Sequence, residues 1–208
     1  MPTTLEAEGL ARSWGDRRIF SGISLTAERG LIGITGENGS GKTTLLKILA
    51  SLLRPDSGTV KVRSGGQDLS GDARRRAIGW AGPDLTFYDE LSAEENLAFF
   101  RAAAGWRTPG SEIRERLSRV GLAPASGRAV GAFSTGMKQR LRMAFATLFD
   151  SPILLLDEPM IGLDAEGRAI VSRIVQEARR AGAVLLASND PRDFEGADHT
   201  LSLPGAAA

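Results

Sequence analysis

The spacing of apolar residues divides the chain into short strands and amphipathic helices. Strands are predicted where brief apolar or alternating runs end in glycine or polar turns, at 5–11, 22–27, 31–35, 59–62, 78–81, 153–156, 183–187 and 201–203. Helices are predicted where apolar residues recur every three or four positions, at 44–50, 92–100, 113–121, 137–148 and 164–178. Residues 56–58 are predicted as a turn. This mixture of strands and helices indicates an α/β fold.

The predicted helices concentrate between the 78–81 and 153–156 strands. Ser92 and Glu95 have the spacing of a capping box, and two amphipathic segments follow them. We therefore expect residues of about 87–150 to form a helical insertion that interrupts the sheet, within one domain of residues 1–208. The 153–156 run is apolar throughout, as is typical of a central parallel strand covered on both faces.

A glycine-rich stretch follows the 31–35 strand and opens the 44–50 helix. It fits the phosphate-loop pattern and consists of Gly36, Glu37, Asn38, Gly39, Ser40, Gly41, Lys42, Thr43 and Thr44. Its glycines allow backbone N–H groups to surround phosphate oxygens at a helix N-terminus. Lys42 is expected to reach the terminal phosphates, and the Thr43 hydroxyl to bind magnesium. The alternative is an ordinary glycine turn between a strand and a helix.

Two adjacent acids, Asp157 and Glu158, follow the apolar 153–156 strand. Open α/β sheets place ligands at the carboxyl ends of their strands, beside the phosphate loop. We expect Asp157 to hold magnesium and Glu158 to act as the general base on a water molecule. The alternative is that both acids simply cap the segment that follows.

Three other residues leave alternatives open on pattern alone. Ser134, before Gly136 and Met137, starts a helix as an N-cap or as part of an anion site. Trp14 is expected in the core, although an aromatic there could stack on a base. His199 is the single histidine, and we expect a surface residue rather than a base.

Composition narrows the class of protein. The chain is 42% hydrophobic and 25% charged, with 26 basic and 25 acidic residues and no cysteine. The near-neutral charge argues against broad electrostatic capture of nucleic acid, and the lack of cysteine excludes disulfides and thiolate metal sites. No signal peptide is expected, and no apolar stretch approaches the roughly 20 residues that span a bilayer. A membrane role would require a partner.

In their order and spacing, the motifs resemble the ATP-binding cassette subunits of transporters over nearly the whole chain. Gly36–Thr43 is similar to the family's Walker A, and Ile153–Glu158 to its Walker B with the catalytic glutamate. Phe133–Arg140 is similar to the signature, and Ile161–Asp164 to the D-loop. The resemblance implies a P-loop NTPase core with a parallel sheet, an N-terminal antiparallel β-subdomain and an inserted helical subdomain.

The resemblance also implies ligands and partners. ATP and Mg²⁺ are expected, with Trp14 stacked on the adenine, which reverses the expectation of a core position. Ser134, Gly136 and Met137 are expected to contact ATP held by the other subunit of a homodimer, or of a cassette pair, that closes head to tail. A separate transmembrane permease subunit is the expected partner, at the cytoplasmic face of the cell membrane, with no nucleic acid bound.

Two positions depart from the family pattern. Pro83 or Asp84 stands in place of a glutamine, and Asn189 in place of the switch histidine. An asparagine can hydrogen-bond a γ-phosphate but has no titratable proton. The expected catalytic residues are therefore Lys42, Glu158 and Asn189, with slower hydrolysis or reliance on a partner.

The transported substrate is harder to infer. The short chain, the variant signature and Asn189 resemble the haem-exporter cassettes of cytochrome c maturation, and general drug or lipid exporter cassettes are the alternative. Exposed apolar residues near Phe87, Tyr88, Phe99 and Phe100 are expected to dock the permease. A weakly hydrolysing ATP-gated clamp and a nucleic-acid-linked ATPase are competing functions. The sequence lacks the long coiled-coil insertion, second cassette and strongly basic surface that the latter usually needs.

Overall fold

The computed structural model describes residues 2–106 and 109–204 and contains two sheets. An antiparallel sheet has the strand order β2-β1-β4-β5 and consists of β1 (Thr3–Trp14), β2 (Arg17–Ala27), β4 (Ser57–Ser64) and β5 (Gln67–Asp68). A parallel sheet has the order β6-β7-β8-β3-β9 and consists of β3 (Gly30–Thr35), β6 (Ile78–Ala81), β7 (Ile153–Asp157), β8 (Ala183–Ala187) and β9 (His199–Ser202). The predicted α/β class is confirmed.

Helices connect and cover these sheets. They are α1 (Lys42–Leu49), α2 (Gly71–Arg76), α3 (Ala93–Ala103), α4 (Gly110–Arg119), α5 (Thr135–Ala146) and α6 (Ala165–Ala181). Short 3₁₀ helices span Ala123–Ala125, Val130–Ala132 and Pro191–Phe194. Within the described ranges, no helix combines the length and the apolar character needed to cross a membrane.

The core forms on both faces of the parallel sheet. Every residue of β7 is buried, and alternate side chains point to opposite sides. Leu154 and Leu156 pack with the helical side of the molecule, whereas Ile153 and Leu155 pack with α1 and the antiparallel sheet. The continuous apolar run of β7 thus follows from its position between two packed layers.

Helices α3, α4 and α5 lie between β6 and β7 in the chain, where the helical insertion is predicted; residues 107–108 of that segment lie outside the described residues. The capping box at α3 is present: the Ser92 hydroxyl accepts from Glu95 N at 3.1 Å, and the Glu95 carboxylate accepts from Ser92 N at 2.8 Å. Local hydrogen bonds of this kind are readable from sequence because their partners are three residues apart.

The predicted turn at 56–58 is wrong. Strand β4 already begins at Ser57, and Gly58 has a φ of 86° within it. The pairing of β1 with β4 shifts register between Glu8 and Ala11, opposite this glycine. A Cβ on Gly58 would lie 2.4 Å from Glu8 O. Gly58 therefore allows a β-bulge and a close approach of two backbones, and it does not reverse the direction of the chain.

The order of the parallel strands brings distant segments of the chain together. Strand β8 lies between β3 and β7, so the carboxyl ends of all three are neighbours at one edge. The phosphate loop follows β3, the acids end β7, and Ser188 and Asn189 follow β8. This edge is where an open α/β sheet binds its ligand.

Candidate ATP-binding and catalytic site

An open cleft of about 1060 Å³ lies at this edge of the sheet. Its lining includes Asn38, Gly39 and Thr44 of the phosphate loop, together with residues that follow β7 and β8. A cleft of this size is large enough for a nucleotide.

The phosphate loop has the backbone conformation that its glycines permit. Gly36, Gly39 and Gly41 have φ values of 150°, 82° and 99°, which disfavour a side chain. A Cβ on Gly41 would lie 2.3 Å from the Ile19 side chain, so close packing as well as φ requires glycine there. Gly41 is also the N-cap of α1, which directs the free N–H groups of the first helical turn toward the cleft.

Lys42 is 7% exposed, and its ammonium group donates hydrogen bonds to acceptors within the protein. Its Nζ donates to Gly36 O at 2.7 Å, to Glu37 O at 3.1 Å and to Asn189 Oδ1 at 2.8 Å. Three acceptors satisfy the three N–H groups of an ammonium. The side chain of Ser40 is buried in the same loop, and its hydroxyl finds no partner among the described residues.

Asp157 and Thr43 meet as the sequence predicts. The Thr43 hydroxyl donates to Asp157 Oδ2 at 2.6 Å, although the residues are 114 positions apart. Asp157 is 2% exposed, and its Oδ1 finds no hydrogen-bond partner in the described part of the chain. Burial is the main cause of the raised pKa of the Asp157 carboxyl, and the Thr43 hydrogen bond opposes it.

Glu158 follows Asp157 with a positive φ of 50°. Its N–H donates to Ala187 O at 2.8 Å, and its carbonyl accepts from Gln139 Nε2 at 3.1 Å, which fixes the backbone between β8 and α5. Burial, and next the charge of Asp157, raise the pKa of the Glu158 carboxyl. A carboxyl with a raised pKa is a stronger proton acceptor, as a general base requires.

Asn189 links the phosphate loop to Glu158. Its Nδ2 donates to Glu158 Oε1 at 2.9 Å and to Asn38 Oδ1 at 2.8 Å, while its Oδ1 accepts from Lys42. The structure thus brings all three predicted catalytic residues together around this amide.

Trp14 lies at the mouth of the cleft and is 52% exposed. The core position expected from pattern alone is therefore wrong, because the residue ends β1 next to the exposed Gly15-Asp16 turn. The Arg12 guanidinium lies 4.2 Å above the ring, so the indole is held as a platform at the cleft entrance.

The signature residues Ser134, Gly136 and Met137 lie outside the cleft lining, at the start of α5. The Ser134 hydroxyl accepts from Met137 N at 3.2 Å, which is an N-cap contact. Within one chain, these residues therefore do not share a site with the phosphate loop. His199 is exposed on the edge strand β9, as expected.

At the position of the missing glutamine, Pro83 O accepts from Arg142 Nη2 at 3.3 Å. Asp84 pairs with Lys47 Nζ of α1 at 3.0 Å, and its charge contributes to the raised pKa of Asp157. Asp84 thus lies close enough to influence Asp157, without lining the cleft.

Sequence reasoning missed three residues around Glu158. Ser188 Oγ lies 3.3 Å from Glu158 Oε2 and 2.6 Å from Asp193 Oδ2, and Gln139 holds the Glu158 carbonyl. Gln139 lies inside the signature segment, whereas no motif marks Ser188 or Asp193.

Residues 20–161 match the profile of a family described as "ABC transporter". The chain belongs to this family. It is an ATP-binding domain of the ABC ATPase type, and its fold is that of the P-loop NTPases.

Individual relatives differ in their named roles. The chain is 35% identical over 189 residues to the daunorubicin resistance ATP-binding protein DrrA3 of Streptomyces coeruleorubidus, covering 88% of this chain and 59% of that relative. It is 34% identical over 205 residues to the cytochrome c biogenesis ATP-binding export protein CcmA 2 of Salmonella paratyphi A, covering 98% of this chain and 92% of the relative.

A solved structure described as the dimeric structure of MJ0796, a bacterial ABC transporter cassette, has a TM-score of 0.85 at 20% identity. The match covers 96% of this chain and 94% of that one. At this identity the likeness establishes the fold of the ABC cassette alone.

Proposed function

We propose that the chain binds ATP with Mg²⁺ in the cleft, hydrolyses it as a head-to-tail dimer, and drives export through a separate membrane subunit. The observation that carries this proposal is the convergence of Lys42, Thr43, Asp157 and Glu158 at one edge of the parallel sheet. Each of these side chains supplies one requirement of phosphoryl transfer to water: phosphate counter-charge, metal ligand or base.

The phosphate loop would bind the phosphates, and Trp14 would stack on the adenine. Because Lys42 already has three acceptors, a phosphate oxygen would replace one of them. Two of these acceptors are backbone carbonyls, and the third belongs to the exposed side chain of Asn189. The Asn189 amide is therefore the group best able to turn away from Lys42. Nucleotide binding would thereby release Asn189 toward the γ-phosphate.

The residues present fit a magnesium ion. Thr43 Oγ1 and Asp157 Oδ2 are oxygen ligands of the kind that Mg²⁺ prefers, and the unpaired buried Asp157 Oδ1 provides further acceptor capacity. The described residues contain no group of three or more His, Cys, Asp and Glu side chains suited to a metal. That agrees with Mg²⁺, which takes one or two carboxylates and completes its shell with phosphates and water. When bound, the ion supplies charge neutralisation on the phosphates.

Glu158 would take the proton from the attacking water. Its backbone is anchored on both sides, and its carboxylate lies in the cleft beside Asn189. The exposed start of α5 supports the involvement of a second copy: Ser134, Gly136 and Met137 lie outside their own cleft but present a helix N-terminus suited to an anion. In a head-to-tail dimer they would cover the γ-phosphate of the partner's ATP.

The proposed transport partner is a transmembrane permease subunit at the cytoplasmic face of the cell membrane. Tyr88 and Phe99 are exposed, and their rings contact each other with centroids 5.1 Å apart. Phe100 and Phe87 lie behind them in the same aromatic cluster. This surface is our candidate for docking the permease.

We propose haem export during cytochrome c maturation as the specific role. The support is the similarity to a CcmA protein along nearly the full length of both chains. The DrrA3 relative, of whose length the chain covers 59%, supports the alternative of a drug exporter.

A second candidate is an ATP-gated clamp that hydrolyses weakly. The observations that favour it are Asn189 and the Pro83-Asp84 pair at positions where the family resemblance implies histidine and glutamine. For either function we expect no salt-sensitive binding of DNA or RNA.

The test compares wild type with Glu158→Gln. Light scattering should show a dimer of the variant with ATP and Mg²⁺ and a monomer without them, while the wild type releases phosphate. Dimerisation with no wild-type turnover, even with a membrane subunit present, would favour the clamp. A variant that stays monomeric and turns over normally would contradict both the head-to-tail dimer and the role of Glu158.

A further inference from the structure

The Ser188 hydroxyl lies between two carboxylates. It is 2.6 Å from Asp193 Oδ2 and 3.3 Å from Glu158 Oε2. The single hydroxyl proton is shared unequally: the 2.6 Å contact makes Asp193 the stronger acceptor, and the 3.3 Å contact makes Glu158 the weaker one. Ser188 is buried, at 1% exposure, so water does not compete freely for this hydroxyl.

Neighbouring groups hold the hydroxyl in place. The backbone N–H of Asp190 donates to Ser188 Oγ at 3.1 Å, which occupies an acceptor site of the oxygen. Asp193 is 3% exposed at its side chain and pairs through Oδ1 with Arg168 Nη2 at 2.6 Å. Arg168 lies in the first turn of α6, and its second contact, with Asp190 Oδ2, is longer at 3.4 Å. Asp193 therefore connects α6 to Ser188.

The backbone of Glu158 is already fixed, so its side chain is what remains free to move. Asn189 holds Oε1 and Ser188 lies beside Oε2, so both oxygens have a neighbour supplied by the end of β8. In the nucleotide-bound site proposed above, Asn189 turns toward the phosphates. Ser188 would then be the remaining side chain that orients the carboxylate.

We propose that Ser188 and Asp193 are positioning residues for Glu158. This inference rests on the proposed role of Glu158 as the base. Asp193 accepts the stronger hydrogen bond and fixes the Ser188 oxygen. Ser188 then limits the rotation of the Glu158 carboxylate through a weaker hydrogen bond of 3.3 Å, which leaves Oε2 able to accept a proton from water. Arg168 holds the Asp193 carboxylate in place through their ion pair.

The first test is steady-state hydrolysis by Ser188→Ala and Asp193→Ala. Because misplacing a catalytic group by about 1 Å costs roughly a hundredfold in rate, we expect kcat to fall about ten- to a hundredfold. The KM for ATP should stay within about twofold, since neither side chain contacts the phosphate loop. Asp193→Asn retains an acceptor oxygen for the hydroxyl and should recover most of the rate.

Arg179→Ala is the matched control. Arg179 also lies on α6 and pairs with an acid after β8, Asp198, at 2.7 Å, but neither residue lines the cleft. If Arg179→Ala lowers kcat as much as Asp193→Ala does, then the loss of any ion pair on α6 is enough to slow hydrolysis. The positioning role is then wrong.

A double-mutant cycle distinguishes a positioning role of Ser188 from a merely structural one. If Ser188 acts through Glu158, then Ser188→Ala should not further slow the residual single-turnover phosphate release of Glu158→Gln. An equal loss of rate in both backgrounds would overturn the inference. Normal turnover of Glu158→Gln would instead overturn the proposed function, so the two failures are distinguishable. Unchanged kcat in Ser188→Ala, with Glu158→Gln inactive, would overturn the positioning role alone.

Discussion

Asp157→Asn should stabilise the nucleotide-free protein while abolishing its Mg²⁺-dependent activity. Asp157 is 2% exposed, and its Oδ1 finds no hydrogen-bond partner among the described residues. Burial raises the pKa of its carboxyl, so the folded state holds the charge at a cost. The asparagine removes this charge and can still accept the Thr43 hydroxyl proton.

The size of the stabilisation by Asp157→Asn and its dependence on pH follow from this geometry. A buried unsatisfied polar group costs about 1 to 3 kcal/mol, and because the amide remains polar we expect a gain near the lower limit, about 1 kcal/mol. For a chain of this size, that corresponds to a rise in Tm of about 2 to 4 °C. A carboxyl whose folded pKa lies above its unfolded value of about 3.9 contributes stability below that value and loses it as pH rises through the folded pKa. The difference between variant and wild type should therefore be largest near neutral pH and shrink on acidification toward pH 4.

The assay is thermal unfolding in EDTA without nucleotide, from pH 4 to pH 8, alongside phosphate release with ATP and Mg²⁺. Glu177→Gln, which removes an exposed acid of the Arg119 pair on α6, is the control for a general change in net charge. A variant that is less stable than wild type at neutral pH, or whose advantage does not change with pH, would refute the reasoning about the buried charge.

Three further changes test other contacts. Trp14→Ala should weaken ATP binding by about 1 to 3 kcal/mol in a nucleotide titration, with Trp14→Phe close to wild type; equal binding by all three proteins would exclude stacking. Asn189→Ala removes hydrogen bonds to Lys42 and Glu158, so single-turnover hydrolysis should slow about tenfold, and an unchanged rate would contradict the role of this amide. Asn96→Ala removes a fully buried amide that accepts from Tyr88 N and donates to three carbonyls, and urea denaturation should show a loss of about 2 to 4 kcal/mol. A loss near zero would mean that water replaces these bonds.

Much of the site was predictable because its motifs are local in sequence. The phosphate loop is a run of nine residues in which glycine, lysine and threonine each have a defined chemical use. The two acids follow directly on an apolar strand, and such strands end at the ligand edge of an open sheet. These patterns need no knowledge of distant contacts, and the structure brings Thr43 and Asp157 together accordingly.

Two expectations failed where a residue's neighbours across the sheet decided the outcome. Gly58 reads as part of a turn, but its approach to the backbone of Glu8 makes it part of a bulge inside a strand. Trp14 reads as a core aromatic on pattern alone, but the end of the β1–β2 hairpin leaves it exposed at the cleft. Neither the register of a strand nor the exposed side of a hairpin end is encoded in the identity of one residue.

By itself, the sequence determined the α/β class, the phosphate loop, the paired acids and the cap of α3, because each depends on residues close together in the chain. Only the tertiary structure decided that Asn189 joins Lys42 to Glu158 and that Arg168, Asp193 and Ser188 support the same glutamate. Serine, aspartate and arginine are common on any surface, so their types carry no signal. Their function depends on the order of β3, β8 and β7 in the sheet, which places chain segments more than a hundred residues apart within hydrogen-bond distance.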